Sequence, residues 1–462
     1  FLLIICCLAS RIATTIYYIE DTDSLRFALS INDYDITKIQ PHFPGYPIFC
    51  FFAKTLYLLT ASLSLSFSII GALSLFTIIY FSLKICKTDL LTFKGFILSG
   101  LIFFNPLLWL MSNRYMPDLM GLAISLVAFY FLSAEKKSDK NILLGFLFTG
   151  LLTGVRLSFL PILFFPICYH FILSRKKSNL FVSISVGCLF WLVPLIFITG
   201  FENLFNAALK QAHGHFSDFG GTIITENDWS KRFLSIIRSI WADGLGGYWP
   251  GRSWQTLLLS IPLVYVLYIG VQNFKIEMSK NKYFILISFV CVYGLWIFFF
   301  QNVIYKSRHI LPMLIPSVFV ISNGISLLVR EENIYSKIIT GSLFLSLINV
   351  TSVLIFQHKN PSAISKIKDQ LIVNKKEQII VSTPLVNYYL KYNGVVGKYF
   401  DIEDESDIDS IITLGKDSLY LIGNFKDNFI KNYNILNDSI FFHNPYVNRM
   451  WSDIRTYRLK RK

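Results

Sequence analysis

Apolar runs long enough to cross about 30 Å of hydrocarbon recur from Phe1 to Gln357, each separated from the next by a polar gap. The pattern predicts about eleven membrane spans, over residues 1–18, 65–83, 95–111, 118–133, 142–155, 157–173, 179–199, 254–272, 283–301, 309–329 and 338–357. The apolar segment 48–60 is not one of them, because a crossing there would invert every later loop. It is expected as a helix lying in the outer interface, with Lys54 at its polar edge. The pair 142–155 and 157–173 rests on the same parity argument, which puts Arg156 at the outer apex of a short hairpin. The alternative is an arginine satisfied by neighbouring carbonyls in a kinked helix.

After Gln357 the periodicity changes. Short runs rich in β-branched residues, at 378–382, 395–400, 418–422 and 439–442, alternate with helical patterns at 363–371 and 385–392. Such alternation predicts βαβ units and a small α/β domain of about 100 residues. The expected organisation is therefore a membrane domain, 1–357, followed by an extracytoplasmic domain, 358–462.

Composition agrees with the membrane reading: 53% of residues are apolar, only 16% are charged, and the chain holds 43 Phe, 24 Tyr and 8 Trp. The chain opens on Phe1, and the only cation of its first run, Arg11, lies inside that run; this reads as a truncated start rather than a signal peptide. A formal net charge of +14 would suggest nucleic acid as a partner of a soluble protein. Here the cations gather in gaps between apolar runs, at Lys84, Lys87 and Lys94, at Lys136, Lys137 and Lys140, at Arg175, Lys176 and Lys177, and at Lys275, Lys280 and Lys282. That is the positive-inside pattern of cytoplasmic loops, so no nucleic-acid partner is expected. The seven cysteines show no CxxC pair and read as small core residues. No GxGxxG, Walker A, HExxH or GxSxG motif occurs, so nucleotide binding and familiar hydrolase chemistry have no support.

With the basic loops inside, the segments 19–60, 112–118, 201–253 and the turn 305–309 face outward. They concentrate Glu20, Asp21, Asp23, His42, Tyr46, Arg114, Asp118, Lys306, Arg308 and His309 on one side of the bilayer. Acids and cations grouped at a membrane surface suit a site that needs a base and handles an anion. Each residue also has a structural reading. Asp23 could cap the helix that follows it, and Asp118, after Pro117, could do the same for its own helix. Glu20 and Asp21 could be solvated interface acids, and His42 could only orient its loop. His213 and His215 form an HxH pair, but no third metal ligand is placed by sequence.

The run from Asp23 through Ser30, the acids Asp33 and Asp35, and the turn Pro41-His42-Phe43-Pro44-Gly45-Tyr46-Pro47 resemble the GT-C glycosyltransferases, specifically bacterial relatives of the protein O-mannosyltransferases. In that family the first span is followed by an acidic residue or pair, a helix, a His-Pro-Pro-Gly-Tyr-Pro-like turn and an in-plane helix; Phe43 here replaces the first proline of the turn. Arg114 to Asp118 resembles the family's second outer acidic loop. The stretch 150–161 is similar to its Gly-rich, Arg-containing span, and 307–312 to the Arg-containing start of a late span.

The resemblance implies an α-helical polytopic fold and transfer of a sugar from a polyprenyl-phosphate donor. A carboxylate must accept the proton of the acceptor hydroxyl, and cations must meet the phosphate as it leaves. Asp23 is the expected base, with Asp21 as second choice. Glu20, His42, Tyr46, Arg114, Asp118, Arg156, Lys306, Arg308 and His309 are the expected substrate-binding residues. No cofactor beyond the donor and no divalent metal is expected. The expected setting is a bacterial cytoplasmic membrane, with an inverting transfer to an extracytoplasmic glycan, lipid or protein; nothing in the sequence fixes an oligomeric state. A flippase would show paired broken helices near the midplane. An O-antigen polymerase or ligase would concentrate arginines in a large outer loop, and 201–253 holds only Arg232, Arg238 and Arg252.

Overall fold

Among the described residues, seven helices are long and apolar enough to cross a membrane: Leu63–Ile85, Asp139–Phe159, Lys177–Thr199, Trp254–Gln272, Tyr283–Phe300, Ser307–Arg330 and Ile334–Val373. The computed structural model describes residues 1–133, 138–218, 221–274, 280–330, 333–373 and 378–462. Lys136, Lys137 and Lys275 of the expected cytoplasmic loops lie outside the described residues.

An eighth span is present if the pair Phe93–Phe103 and Pro106–Asn113, bent by 54°, counts as one. The bend has a local cause. Pro106 cannot continue the ladder of the first helix, and Asn105 restarts the second by accepting a hydrogen bond from the Leu108 amide at 3.0 Å while its Nδ2 donates to the Gly244 carbonyl at 2.8 Å.

The total is below the eleven expected from the sequence. The segments 1–18, 118–133 and 157–173 fold as Leu2–Ala13, Asp118–Ser133 and Pro161–Leu173, of 12, 16 and 13 residues. At 1.5 Å per residue these reach about 18, 24 and 20 Å, short of a full hydrocarbon core. In 1–18 and 157–173 apolar sequence continues past the helix and overstates it, whereas Asp118–Ser133 folds over all the expected residues and is simply short. The segment 48–60 is a further short helix, Pro47–Thr60, of 14 residues.

Close helix packing depends on small residues. On Asp139–Arg156, a Cβ at Gly150 would fall 2.3 Å from the Ile184 carbonyl, and on the facing helix a Cβ at Gly187 would fall 2.3 Å from the Leu147 carbonyl. Trp191 then donates its Nε1 proton to the Gly150 carbonyl at 3.1 Å. Backbones thus meet directly, a common means of helix association where burial of apolar surface gives no advantage over lipid.

The chain divides into two compact units, one of Phe1–Ile16 and Phe27–Phe356, the other of Tyr17–Arg26 and Gln357–Lys462. The acidic segment assigned from sequence to the membrane domain thus belongs to the same unit as the C-terminal residues. That second unit holds a five-stranded sheet of β1 (Gln378–Ser382), β2 (Gly397–Asp401), β3 (Ser418–Ile422), β4 (Tyr433–Phe442) and β5 (Asp453–Arg461), in the order β2-β1-β3-β5-β4. β1 pairs in parallel with β2 and β3, with Ile380 opposite both Tyr399 and Tyr420. The connections run through helices Pro384–Tyr392 and Glu405–Thr413, as βαβ crossovers require. Val381, Leu419, Leu421, Phe429, Tyr457 and Leu459 form its core. β5 was not legible in the sequence, since its buried Ile454, Thr456, Tyr457 and Leu459 are separated by Arg455, Arg458 and Lys460.

Candidate active site

Pro117 ends the chain's approach to the helix Asp118–Ser133 and leaves Asp118 in its first turn, where the helix dipole favours a carboxylate. Asp118 is fully buried, and its Oδ1 lies 2.8 Å from Arg156 Nη2 and 3.8 Å from Arg308 Nε. Arg156 is the last residue of Asp139–Arg156; its backbone at φ −156° and ψ 87° leaves the helix there. The two helices approach closely because residue 121 has no side chain: a Cβ at Gly121 would sit 2.5 Å from Arg156 Cβ.

Arg156 makes a second polar contact, from Nη1 to the Tyr46 hydroxyl at 3.3 Å, and the same hydroxyl lies 2.8 Å from His42 Nε2. Both come from the 41–47 turn. Gly45 takes φ 84°, a conformation that favours glycine, and Tyr46 follows in the left-handed region at φ 48° before Pro47 opens the next helix. Tyr34 fixes the turn by donating to the Gly45 carbonyl at 2.8 Å, and Phe27 packs edge-on against Tyr46 with centroids 5.1 Å apart.

Arg308 sits in the 3₁₀ turn Ser307–Ile310 that leads into the helix Leu311–Arg330, with its Nη1 3.1 Å from Met116 Sδ. Tyr293 holds that turn by donating to the His309 carbonyl at 2.9 Å. Lys306 and His309 flank Arg308 in the turn, and His309 is buried. Arg114, also buried, has its Nη1 3.9 Å from Met111 Sδ. The first unit therefore links the half-buried His42 with the buried Tyr46, Arg156, Asp118 and Arg308 into one polar chain drawn from four separate stretches of sequence. Two guanidiniums meet a single buried carboxylate, an arrangement stable only because each charge has a partner.

Sequence reasoning passed over Asp243, which is buried in the turn Ser239–Gly244 packed against the Arg308 turn. A lone acid inside an apolar-looking stretch was the available signal.

In the second unit, the acidic segment is held residue by residue. Tyr18 donates to the His358 carbonyl at 2.8 Å, and Tyr389 donates to the Ile19 carbonyl at 2.6 Å. Glu20 Oε1 lies 3.4 Å from His358 Nε2. Asp21 accepts from the Ser24 amide at 2.8 Å through Oδ1 and from Asn448 Nδ2 at 3.2 Å through Oδ2. Asp23 lies 3.6 Å from Arg26, whose guanidinium stands 5.7 Å from the centre of the Tyr388 ring. The structural role weighed for Asp23 thus falls to Asp21: the helix Thr22–Asn32 starts one residue before Asp23, and the Ser24 amide is capped by Asp21. Glu20 and Asp21 are buried and bonded, not solvated interface acids.

Arg156 binds a carboxylate and a phenol, so the carbonyl-satisfied reading does not hold. That reading describes Arg232 instead. It is fully buried and donates to the carbonyls of Phe298 at 2.6 and 2.9 Å, Gln301 at 3.0 Å and Gly221 at 2.5 Å. Arg252 donates to the carbonyls of Ala242 and Gly247. Two of the three arginines of the 201–253 loop are thereby engaged with backbone. His215 Nε2 lies 2.7 Å from the Phe300 carbonyl, and among the described residues no group of three or more His, Cys, Asp or Glu is placed to hold a metal.

No protein-family model and no curated protein matches the chain. Among solved structures it is similar to ArnT from Cupriavidus metallidurans, both bound to undecaprenyl phosphate and in the apo state. Each comparison gives 10% identity, covers 99% of this chain and 97% of that one, and has a TM-score of 0.57. The Archaeoglobus fulgidus oligosaccharyltransferase, in complex with Zn and sulfate, follows at 11% identity and a TM-score of 0.49, over 91% of this chain and 67% of that one. The chain shares the fold of ArnT, a polytopic helical body with a small C-terminal α/β unit.

Proposed function

We propose that this multi-pass membrane protein is a glycosyltransferase that moves a sugar from a polyprenyl-phosphate donor to an extracytoplasmic acceptor in the cell envelope. The observation that carries the reading is the buried Asp118–Arg156–Arg308 cluster, in a fold shared with a protein solved with undecaprenyl phosphate.

Asp23 acts as general base. It takes the proton of the acceptor hydroxyl as that oxygen attacks the anomeric carbon, and the bond from that carbon to the phosphate oxygen breaks as the new glycosidic bond forms. A single displacement of this kind inverts the anomeric centre. The departing polyprenyl phosphate carries its own negative charge, which Arg308 and Arg156 stabilise; the planar guanidinium suits two phosphate oxygens better than an ammonium does. Asp118 keeps the two guanidiniums close together between turnovers, and Tyr46 with His42 fixes the orientation of Arg156. Because arginines meet the leaving charge, the scheme requires no divalent metal. The transporter reading has less support: among the described residues one helix pair is bent, whereas transporters pair their broken helices.

The test is a transfer assay on purified protein, with a polyprenyl-phosphate sugar and a cell-envelope lipid extract as acceptor. Release of polyprenyl phosphate that depends on the acceptor supports the reading. Donor that crosses vesicle membranes intact, without cleavage, supports transport and contradicts it.

A further inference from the structure

Four consecutive residues, Tyr18 to Asp21, are each tied to residues beyond position 357, immediately before the helix that carries Asp23. The Asn448 link is the most directional. Its Oδ1 accepts the Met450 amide at 3.0 Å, which settles the orientation of the side-chain amide and turns Nδ2, the donor, toward Asp21. Asp21 in turn uses one carboxylate oxygen for Asn448 and the other for the Ser24 amide. Asp21 is thus a mechanical joint between the β4–β5 connection and the first turn of the Asp23 helix. The Asn448 side chain is buried, as is Asp21, so the hydrogen bond does not compete with bulk water.

The remaining links restrain the same segment. Tyr389 holds the Ile19 carbonyl, and burial pushes its phenol well above the usual tyrosine range, so it keeps the proton that it donates. Tyr388, its neighbour on the helix Pro384–Tyr392, stands against Arg26, the ion-pair partner of Asp23.

We propose that Asn448 is a positioning residue for the transfer reaction: acting through Asp21, it fixes the first turn of the Thr22–Asn32 helix and thereby the carboxylate of Asp23. This makes the C-terminal α/β residues contributors to the catalytic rate, and it rests on the reading of Asp23 as the base. Misplacing a reacting group by about 1 Å costs on the order of 10²-fold in rate, so a single lost restraint out of four is expected to lower kcat by about tenfold.

An exchange of the two side chains tests this. Asn448→Asp sets two carboxylates against each other across 3.2 Å. The expected result is a kcat about tenfold lower, a KM for donor within about twofold of the parent, and faster hydrogen exchange across residues 19–26. Asp21→Asn keeps the cap, since Asn serves there as well as Asp, but turns a second donor toward Asn448 and should also slow turnover. Combining the two restores one donor and one acceptor with the polarity reversed, and should return both exchange protection and kcat to within about threefold of the parent.

Unchanged turnover in Asn448→Asp overturns the proposal. So does a double variant with restored exchange protection and no recovered turnover, which would mean that the Asp21 carboxylate itself reacts. A fold lost in the single variant but regained in the double one remains informative, because the double variant alone carries the comparison. If the parent protein transfers no sugar from any polyprenyl-phosphate donor, the function reading falls and the catalytic role of Asn448 with it, while the exchange data still decide whether Asn448 restrains residues 19–26.

Discussion

Asp118 Oδ1 lies 2.8 Å from Arg156 Nη2, joining the start of one helix to the end of the next with both side chains buried. Neither charge is tolerable there alone. The pair therefore ties the folding of the membrane body to the placement of Arg156 and Arg308, the cations proposed to meet the donor phosphate.

Asp118→Asn leaves Arg156 and Arg308 facing a neutral amide. Breaking a buried ion pair from one side costs about 3–5 kcal/mol, so thermal unfolding in detergent should move to clearly lower temperature. Arg156→Met combined with Asp118→Asn should recover part of that loss, because it removes the stranded charge, yet donor binding should stay weak.

Gly121→Ala tests the close approach beneath Arg156. With its Cβ 2.5 Å from Arg156 Cβ, one helix must shift, and overpacking of this kind costs about 1–3 kcal/mol. Donor affinity should fall together with stability; an unaltered affinity would show that the guanidinium does not need this backbone contact.

Tyr46→Phe removes only the hydroxyl shared by Arg156 and His42. A lost hydrogen bond of this type is worth about 0.5–1.5 kcal/mol, so a roughly threefold to tenfold weaker donor affinity is expected in a binding measurement, with the ring's packing on Phe27 retained.

The expected orientation is tested at Ser138, which precedes the helix Asp139–Arg156. Ser138→Cys should react with a membrane-impermeant thiol reagent applied to the cytoplasmic side. Reaction only from the outside would reverse the orientation of the neighbouring loops.

The helices and most of the C-terminal strands were readable because their signals are local: apolar runs, β-branched alternation, and Pro106, Pro117 and Pro161 at element starts. Span length was less readable, since apolar residues continue through the turns after Ala13 and before Pro161. Asp118, Arg156 and Arg308 could be named as candidates from their places between apolar runs, but their meeting could not, because nothing local records which helices pack together. The Asp21–Asn448 contact joins residues 427 positions apart, and the Glu20–His358 pair is likewise long-range. The motif ranks Asp23 ahead of Asp21, but which of them caps the helix depends on where the helix starts, and the motif does not record that. Met116 beside Arg308 had no signal at all in an apolar-flanked turn.

The central claim is that Asp23 is the base and Arg308 a phosphate ligand, and paired kinetics of Asp23→Asn and Arg308→Ala with a polyprenyl-phosphate sugar test it most directly. Asp23→Asn should lower kcat by about 10²–10⁴-fold with donor binding nearly unchanged, since the amide keeps the volume but cannot take the proton. Arg308→Ala should weaken donor binding as well as kcat, because a phosphate contact exists before the bond breaks and strengthens as it does. Near-normal turnover of Asp23→Asn would contradict the account and move the base to Asp21.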